Sequence, residues 1–77
     1  MNLAYVLMDT EVGRDREIQN HLKKIPGVEE IHHIYGEHDQ IVKARCNNQK
    51  ELDACLKKIK RTDGVGHTLI LRVVDEI

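Results

Sequence analysis

Phenylalanine and tryptophan are absent from the 77-residue chain, and its two tyrosines stand apart from one another. Single-stranded nucleic acid is gripped by stacking bases on aromatic side chains, so that class of partner has no platform here. Surplus positive charge is missing as well: 12 lysines and arginines face 13 aspartates and glutamates. Phosphate-driven DNA binding calls for a basic excess on one face, and the balance argues against it. The charge is only mildly asymmetric, with 4 basic and 8 acidic residues up to Asp39 and 8 and 5 after it. Lys57, Lys58, Lys60 and Arg61 fall at the expected end of a helix, where cations offset the helix dipole. No apolar run approaches the roughly 20 residues that cross a bilayer. No secretory leader precedes the first apolar segment, so a soluble, cytoplasmic protein is expected. Cys46 and Cys55 are too far apart for a C-x-x-C, and both are expected to stay as buried thiols.

What is present suffices for a core: 40% of the residues are hydrophobic and 32% charged. The length predicts one domain over residues 1–77. A domain of this size buries only about 60 to 65% of its unfolded surface and commonly needs a disulfide, a metal or a partner subunit. Leu3 to Met8 is apolar on both alternating sets, as in a central strand. Ile18, Leu22 and Ile25 mark one helix face, ended by Pro26-Gly27. Val28 to Tyr35 and Gln40 to Cys46 read as strands joined through the turn Gly36 to Asp39. Asn48 with Glu51 fits a helix N-cap, and Leu52, Cys55, Leu56 and Ile59 form the stripe that follows. Thr62-Asp63-Gly64 stops this helix, and Val65 to Val74 closes the chain as a strand.

Leu22-Lys23-Lys24-Ile25 followed by Pro26-Gly27-Val28 is echoed by Leu56-Lys57-Lys58-Ile59 followed by Asp63-Gly64-Val65. Two such β-α-β units with right-handed crossovers interleave into a four-stranded antiparallel sheet with both helices on one face. This is an α+β, ferredoxin-like βαββαβ arrangement. Gly27 and Gly64 fit positive-φ positions past each helix. Leu22, Leu56 and Leu71 are expected in the core. Helices cover one face only, yet the first and last strands are apolar on both, and the last strand is an edge. A dimer through the helix-free sheet face, a dimeric α/β barrel, is therefore expected.

Ile34-Tyr35-Gly36-Glu37-His38-Asp39, Ile25-Pro26-Gly27-Val28 and Asp63-Gly64-Val65 with Thr68 together resemble the effector-binding (RAM) domain of the Lrp/AsnC transcription regulators. The resemblance covers essentially the whole chain and implies a stand-alone form, without the helix-turn-helix that family members usually carry. It implies sheet-to-sheet dimers, further assembly into octamers or similar rings, and an amino acid bound between subunits. It also implies contact with full-length Lrp/AsnC regulators as possible partners. Gly36 and Asp39 are the leading ligand-site residues by this resemblance, joined by Tyr35, Glu37, His38, Thr68 and Ile70. The chemistry is coherent on its own terms: amides of a glycine turn donate to an α-carboxylate, and an acidic side chain pairs with an α-ammonium. The bland alternative is an ordinary hairpin turn with Asp39 bonding local amides. Tyr35, His38 and Ile70 depart from the small hydroxyl, aromatic and threonine common in relatives, which leaves the ligand unspecified.

Three other readings compete with this one. His32, His33 and His38 cluster on the hairpin, but neighbouring strand residues face opposite ways, and no further ligand pattern completes a metal site. An enzyme would need His33 or His38 with Asp39 or Glu37 as acid and base, with no nucleophile or cofactor motif beside them. A ligand-free assembly module that joins full-length regulators would use the same apolar sheet face. The expectation is a non-enzyme with no metal and no cofactor.

Overall fold

Short apolar runs and amphipathic stripes resolve into six elements in a computed structural model, which describes residues 2–75. These are β1 (Leu3–Thr10), α1 (Asp15–Leu22), β2 (Val28–His33), β3 (Gln40–Arg45), α2 (Gln49–Lys60) and β4 (Val65–Arg72). The strands form one sheet in the order β2-β3-β1-β4, and every neighbouring pair is antiparallel. This is the ferredoxin-like arrangement that the element order predicts.

The helices cover one face. Ile18 and Leu22 of α1 and Leu52, Cys55, Leu56 and Ile59 of α2 are buried against Ala4, Val6, Met8, Val42 and Ala44 of the two central strands. A fully buried leucine or isoleucine contributes roughly 1.5–3 kcal/mol, so this single layer of contacts carries most of the stability. Ile25 lies beyond the end of α1, in the turn, yet still packs against that core. At the start of α2 the Asn48 side chain accepts a hydrogen bond from the Glu51 amide at 2.8 Å, the cap its spacing predicts. No side chain caps α1. Instead Arg14 reaches Glu11 and Asp63, each at 3.0 Å, and also Glu17, which ties the start of α1 to the turn before β4. The Arg14 guanidinium holds the Glu17 carboxyl below its usual range.

The internal repeat is real, but its register differs from the one the Leu-Lys-Lys-Ile echo suggests. Val28 donates to the Ile25 carbonyl and Val65 to the Thr62 carbonyl, while Ile25 donates to Leu22 and Thr62 to Ile59. Leu22 therefore corresponds to Ile59, and Gly27 to Gly64. α2 is longer than α1, so the echo beginning at Leu56 falls about one helical turn too early. The glycines occupy φ +101° and +93°. A Cβ on Gly64 would come within 2.7 Å of Ile18 on α1, and one on Gly27 within 3.1 Å of the Cys55 sulfur on α2. Each turn thus packs against the helix of the other half.

The opposite sheet face carries no helix. Across it run the rows His32–Ile41–Leu7–Leu69 and Glu30–Lys43–Tyr5–Leu71, from β2 to β4. The β2 end of these rows is charged, and Lys43 lies 3.4 Å from both Glu29 and Glu30. The β4 end is apolar: Leu69 and Leu71 are 46% and 48% exposed. The expectation that Leu71 is a core residue is corrected here. It pairs with Tyr5, and strand alternation sends both side chains away from the helices.

Candidate functional site

β2 ends at His33, two residues before the expected boundary, and Ile34 to Asp39 form the connection to β3. Its closure comes from one residue. The Asp39 carbonyl accepts from the Ile34 amide at 2.9 Å, and the Asp39 amide donates to the Met8 carbonyl at 3.0 Å. The Asp39 carboxylate accepts from the Thr10 amide at 2.9 Å. The side chain therefore bonds across to β1, not to the local amides that a simple hairpin reading assigns it. This extends the β1–β3 contact past the last ladder pair, and β1 itself runs two residues longer than the apolar segment predicts.

His38 follows the same direction, its Nδ1 lying 3.2 Å from Asp9 Oδ1. Thr10 continues the network by donating its hydroxyl to Asp15 at 2.8 Å. His33 Nε2 stands 3.7 Å from the other Asp15 oxygen, while His32 turns to Glu30 on the opposite face at 3.0 Å. The three hairpin histidines are thus parted among three carboxylates. Among the described residues no group of three metal-ligating side chains converges.

Tyr35, Gly36 and Glu37 are exposed at the tip, and His38 and Asp39 are half-buried below them. The amides of Tyr35 to His38 donate to no acceptor among the described residues. The connection therefore carries N–H donors without a protein acceptor at its tip, and at its base the carboxylates of Asp39, bonded to the Thr10 amide, and Asp9, bonded to His38. That pairing of donors and negative charge complements a zwitterion.

Thr68 pairs with Met8 on β4, and Met8 pairs with Gln40 on β3. Thr68 and the connection thus lie at the same end of the sheet, separated by β1, or about 10 Å at ordinary strand spacing. Ile70 pairs with Val6 and packs against the helix-side core; Thr68, two residues earlier and opposite Met8, alternates to that same face but stands nearer the connection. An open depression of about 430 Å³ lies at this end, lined by Asp9, Thr10, Glu11, Val65, Gly66 and His67 among others. Asp9 joins it to His38. Sequence reasoning did not single out Asp9, Thr10, Asp15 or His67. Asp9-Thr10 bounding an apolar strand is an ordinary strand end, and only the long-range pairing of β1 with β3 gives it a role.

The family model described as the Lrp/AsnC ligand binding domain matches residues 3–77. The HTH-type transcriptional regulator FL11 of Pyrococcus horikoshii is 34% identical over 71 residues, covering 90% of this chain and 47% of that protein. An uncharacterized HTH-type transcriptional regulator of Pyrococcus abyssi is 35% identical over 78 residues, covering 96% of this chain and 52% of its own length. The chain thus spans about half the length of the curated relatives it matches. Among solved structures, that of FFRP-DM1 is similar with a TM-score of 0.86 at 33% identity, covering 94% of this chain and 97% of that one. A regulator of Neisseria meningitidis, solved as a complex with L-Met, shares the fold with a TM-score of 0.81 at 22% identity, over 97% of this chain and 51% of that one.

Proposed function

Because the chain belongs to the Lrp/AsnC ligand-binding domain family, we propose that it senses a small zwitterionic effector, an amino acid, and converts its binding into a change of assembly that regulates transcription. The observation that carries this reading is the set of unpartnered amides from Tyr35 to His38 beside Asp9 and Asp39. Those amides receive the α-carboxylate, and the acidic pair receives the ammonium. Gly36 gives the backbone room, Glu37 and Tyr35 shape the mouth, and Thr68 contributes its hydroxyl from β4. Ile70 lies two residues further along the same strand, on the face that Thr68 shares. The curated relatives are transcriptional regulators, which fits a non-enzyme acting in the cytoplasm. Among the described residues, no helix is long and apolar enough to cross a membrane.

Leu69, Leu71, Tyr5, Leu7 and Ile41 give the sheet an apolar half that a second copy covers, so the sensing unit is a dimer, assembling further into a ring. In such an assembly the tip of one chain meets a neighbour, which completes a mouth that is open in the single chain. The test is a thermal-shift panel of the twenty amino acids at fixed protein concentration. A ligand at about 100 times its dissociation constant stabilises by about 2.7 kcal/mol, several degrees for a domain this small. A flat panel would overturn the sensing role. The exposed apolar face also favours a second reading, a module that joins full-length Lrp/AsnC regulators without a ligand of its own. Coexpression that yields only separate homo-oligomers would remove it.

A further inference from the structure

The two cysteines meet at the opposite end of the sheet from the effector site, although nothing in their spacing announces it. Cys46 directly follows β3, where its amide donates to the Asn2 carbonyl at 2.9 Å and the neighbouring Arg45 amide donates to Gly27 at 2.8 Å. Cys55 lies on the inner face of α2 and is 2% exposed. Gly27 stands between them: a Cβ there would lie 2.6 Å from the Cys46 sulfur and 3.1 Å from the Cys55 sulfur. Both sulfurs therefore converge on the space that a side chain at Gly27 would fill. Cys46 is only half-buried, and both cysteines line an open cleft of about 410 Å³ together with the charged residues Arg45, Glu51 and Lys58.

Packing alone does not account for the pair. In the corresponding turn of the other half, Gly64 rests on Ile18, so an aliphatic side chain serves the position that Cys55 occupies. The two thiols also differ in exposure, as sequential disulfide chemistry uses: Cys46 is half-buried and Cys55 only 2% exposed. Burial and the adjacent Cys46 sulfur push the Cys55 thiol up to about 11, so it is the protonated partner of the pair near neutral pH.

We propose that Cys46 and Cys55 form a thiol–disulfide exchange site that accepts an anionic low-molecular-weight disulfide and closes to an intramolecular bond. The Cys46 thiolate attacks one sulfur of the disulfide, forming a mixed disulfide and releasing the first small thiolate, which takes up the proton lost by Cys46. Cys55 then attacks the Cys46 sulfur, breaks the mixed bond and expels the second small thiolate, which takes the Cys55 proton. Two protein thiols are oxidised, and one small disulfide is reduced to two thiols. Lys58, which lines the cleft, attracts the anionic reagent, whereas the Arg45 guanidinium is already held by Glu29 at 3.0 Å. The product ties the end of β3 to α2.

The full chain is treated with oxidised glutathione and followed by intact mass, thiol titration and non-reducing electrophoresis. The wild type is expected to lose both free thiols, to end two hydrogens lighter and to remain unlinked to other chains. C55S is expected to stop with one glutathione attached at Cys46, and C46S to react far more slowly. C46A and C55A, checked by circular dichroism, separate a folding defect from lost chemistry. A wild type that stops at the mixed disulfide, stays unreacted or links between chains would overturn the proposal. Equal reactivity of C46S and C55S would also do so.

Discussion

Truncating Leu69 and Leu71 together to alanine probes the assembly face without touching the helix-side core. Both side chains are about half exposed in the single chain, at 46% and 48%. Complete burial of a leucine contributes about 2 kcal/mol, so covering the exposed half of each is worth about 1 kcal/mol. A two-fold interface uses each residue twice. The double variant therefore loses about 4 kcal/mol of association free energy, which weakens the dimer constant by about 10³. Sedimentation equilibrium over a wide concentration range reads that constant directly, and far-ultraviolet circular dichroism reports whether the monomer stays folded. A wild type that is monomeric at micromolar concentration would refute the reasoning, as would a double variant with an unchanged constant. The charged β2 half of the same face gives an internal comparison, because removing Lys43 disturbs exposed ion pairs worth about 0–1 kcal/mol and should alter association far less.

Three further outcomes are expected. Gly64→Ala should lower the urea midpoint more than Gly13→Ala: both sit at positive φ, but only at Gly64 would the new methyl meet Ile18, at 2.7 Å. Equal midpoints would contradict the packing of that turn against α1. Asn48→Ala should cost about 1 kcal/mol in urea unfolding through loss of the α2 cap, and Asn48→Asp should retain most of it; a neutral alanine variant would deny the cap a role. Glu17 is held below the usual carboxylate range by Arg14, and Glu30 likewise by the hydrogen bond from His32 and then by Lys43. A carboxyl with a lowered folded pKa contributes stability above its unfolded value and loses it as pH falls through the folded one. Urea midpoints should therefore drop below about pH 4.5, and Glu17→Gln with Glu30→Gln should flatten that drop. An unchanged acid profile in the double variant would remove these pairs from the account.

Much of the fold was legible because hydrophobic period and turn chemistry act locally. Ile18 and Leu22 lie one helical turn apart and share a buried face; Asn48 caps because its side chain reaches the Glu51 amide three residues on. The hairpin was legible for the same reason, through a glycine turn between two β-rich runs. Long-range pairing was not. Leu71 reads as core in a run apolar on both faces, and only its register opposite Tyr5 decides which way it points. Asp39 reads as a turn residue closing on itself, yet its carboxylate finds the Thr10 amide 29 positions away. Cys46 and Cys55 look unrelated until the turn at Gly27 brings both sulfurs to one point. The repeat was visible and its glycines correctly paired, but the four matching letters Leu-Lys-Lys-Ile set the helices one turn out of register.

The proposed effector site follows the same division. The connection from Tyr35 to Asp39 could be named from its motif, whereas its partners Asp9 and Thr10 depend on the sheet order that lays β1 beside β3. Unused amides at the tip and carboxylates beneath them meet only once that order is set. The central claim is that this junction, completed by a neighbouring subunit, holds an amino acid. Isothermal titration of the twenty amino acids into the assembled wild type, and into the monomeric Leu69→Ala, Leu71→Ala variant, tests it most directly. At least one should bind saturably to the assembled protein and lose most of its affinity for the monomer. Featureless titrations for all twenty, or equal affinity for monomer and assembly, would contradict it.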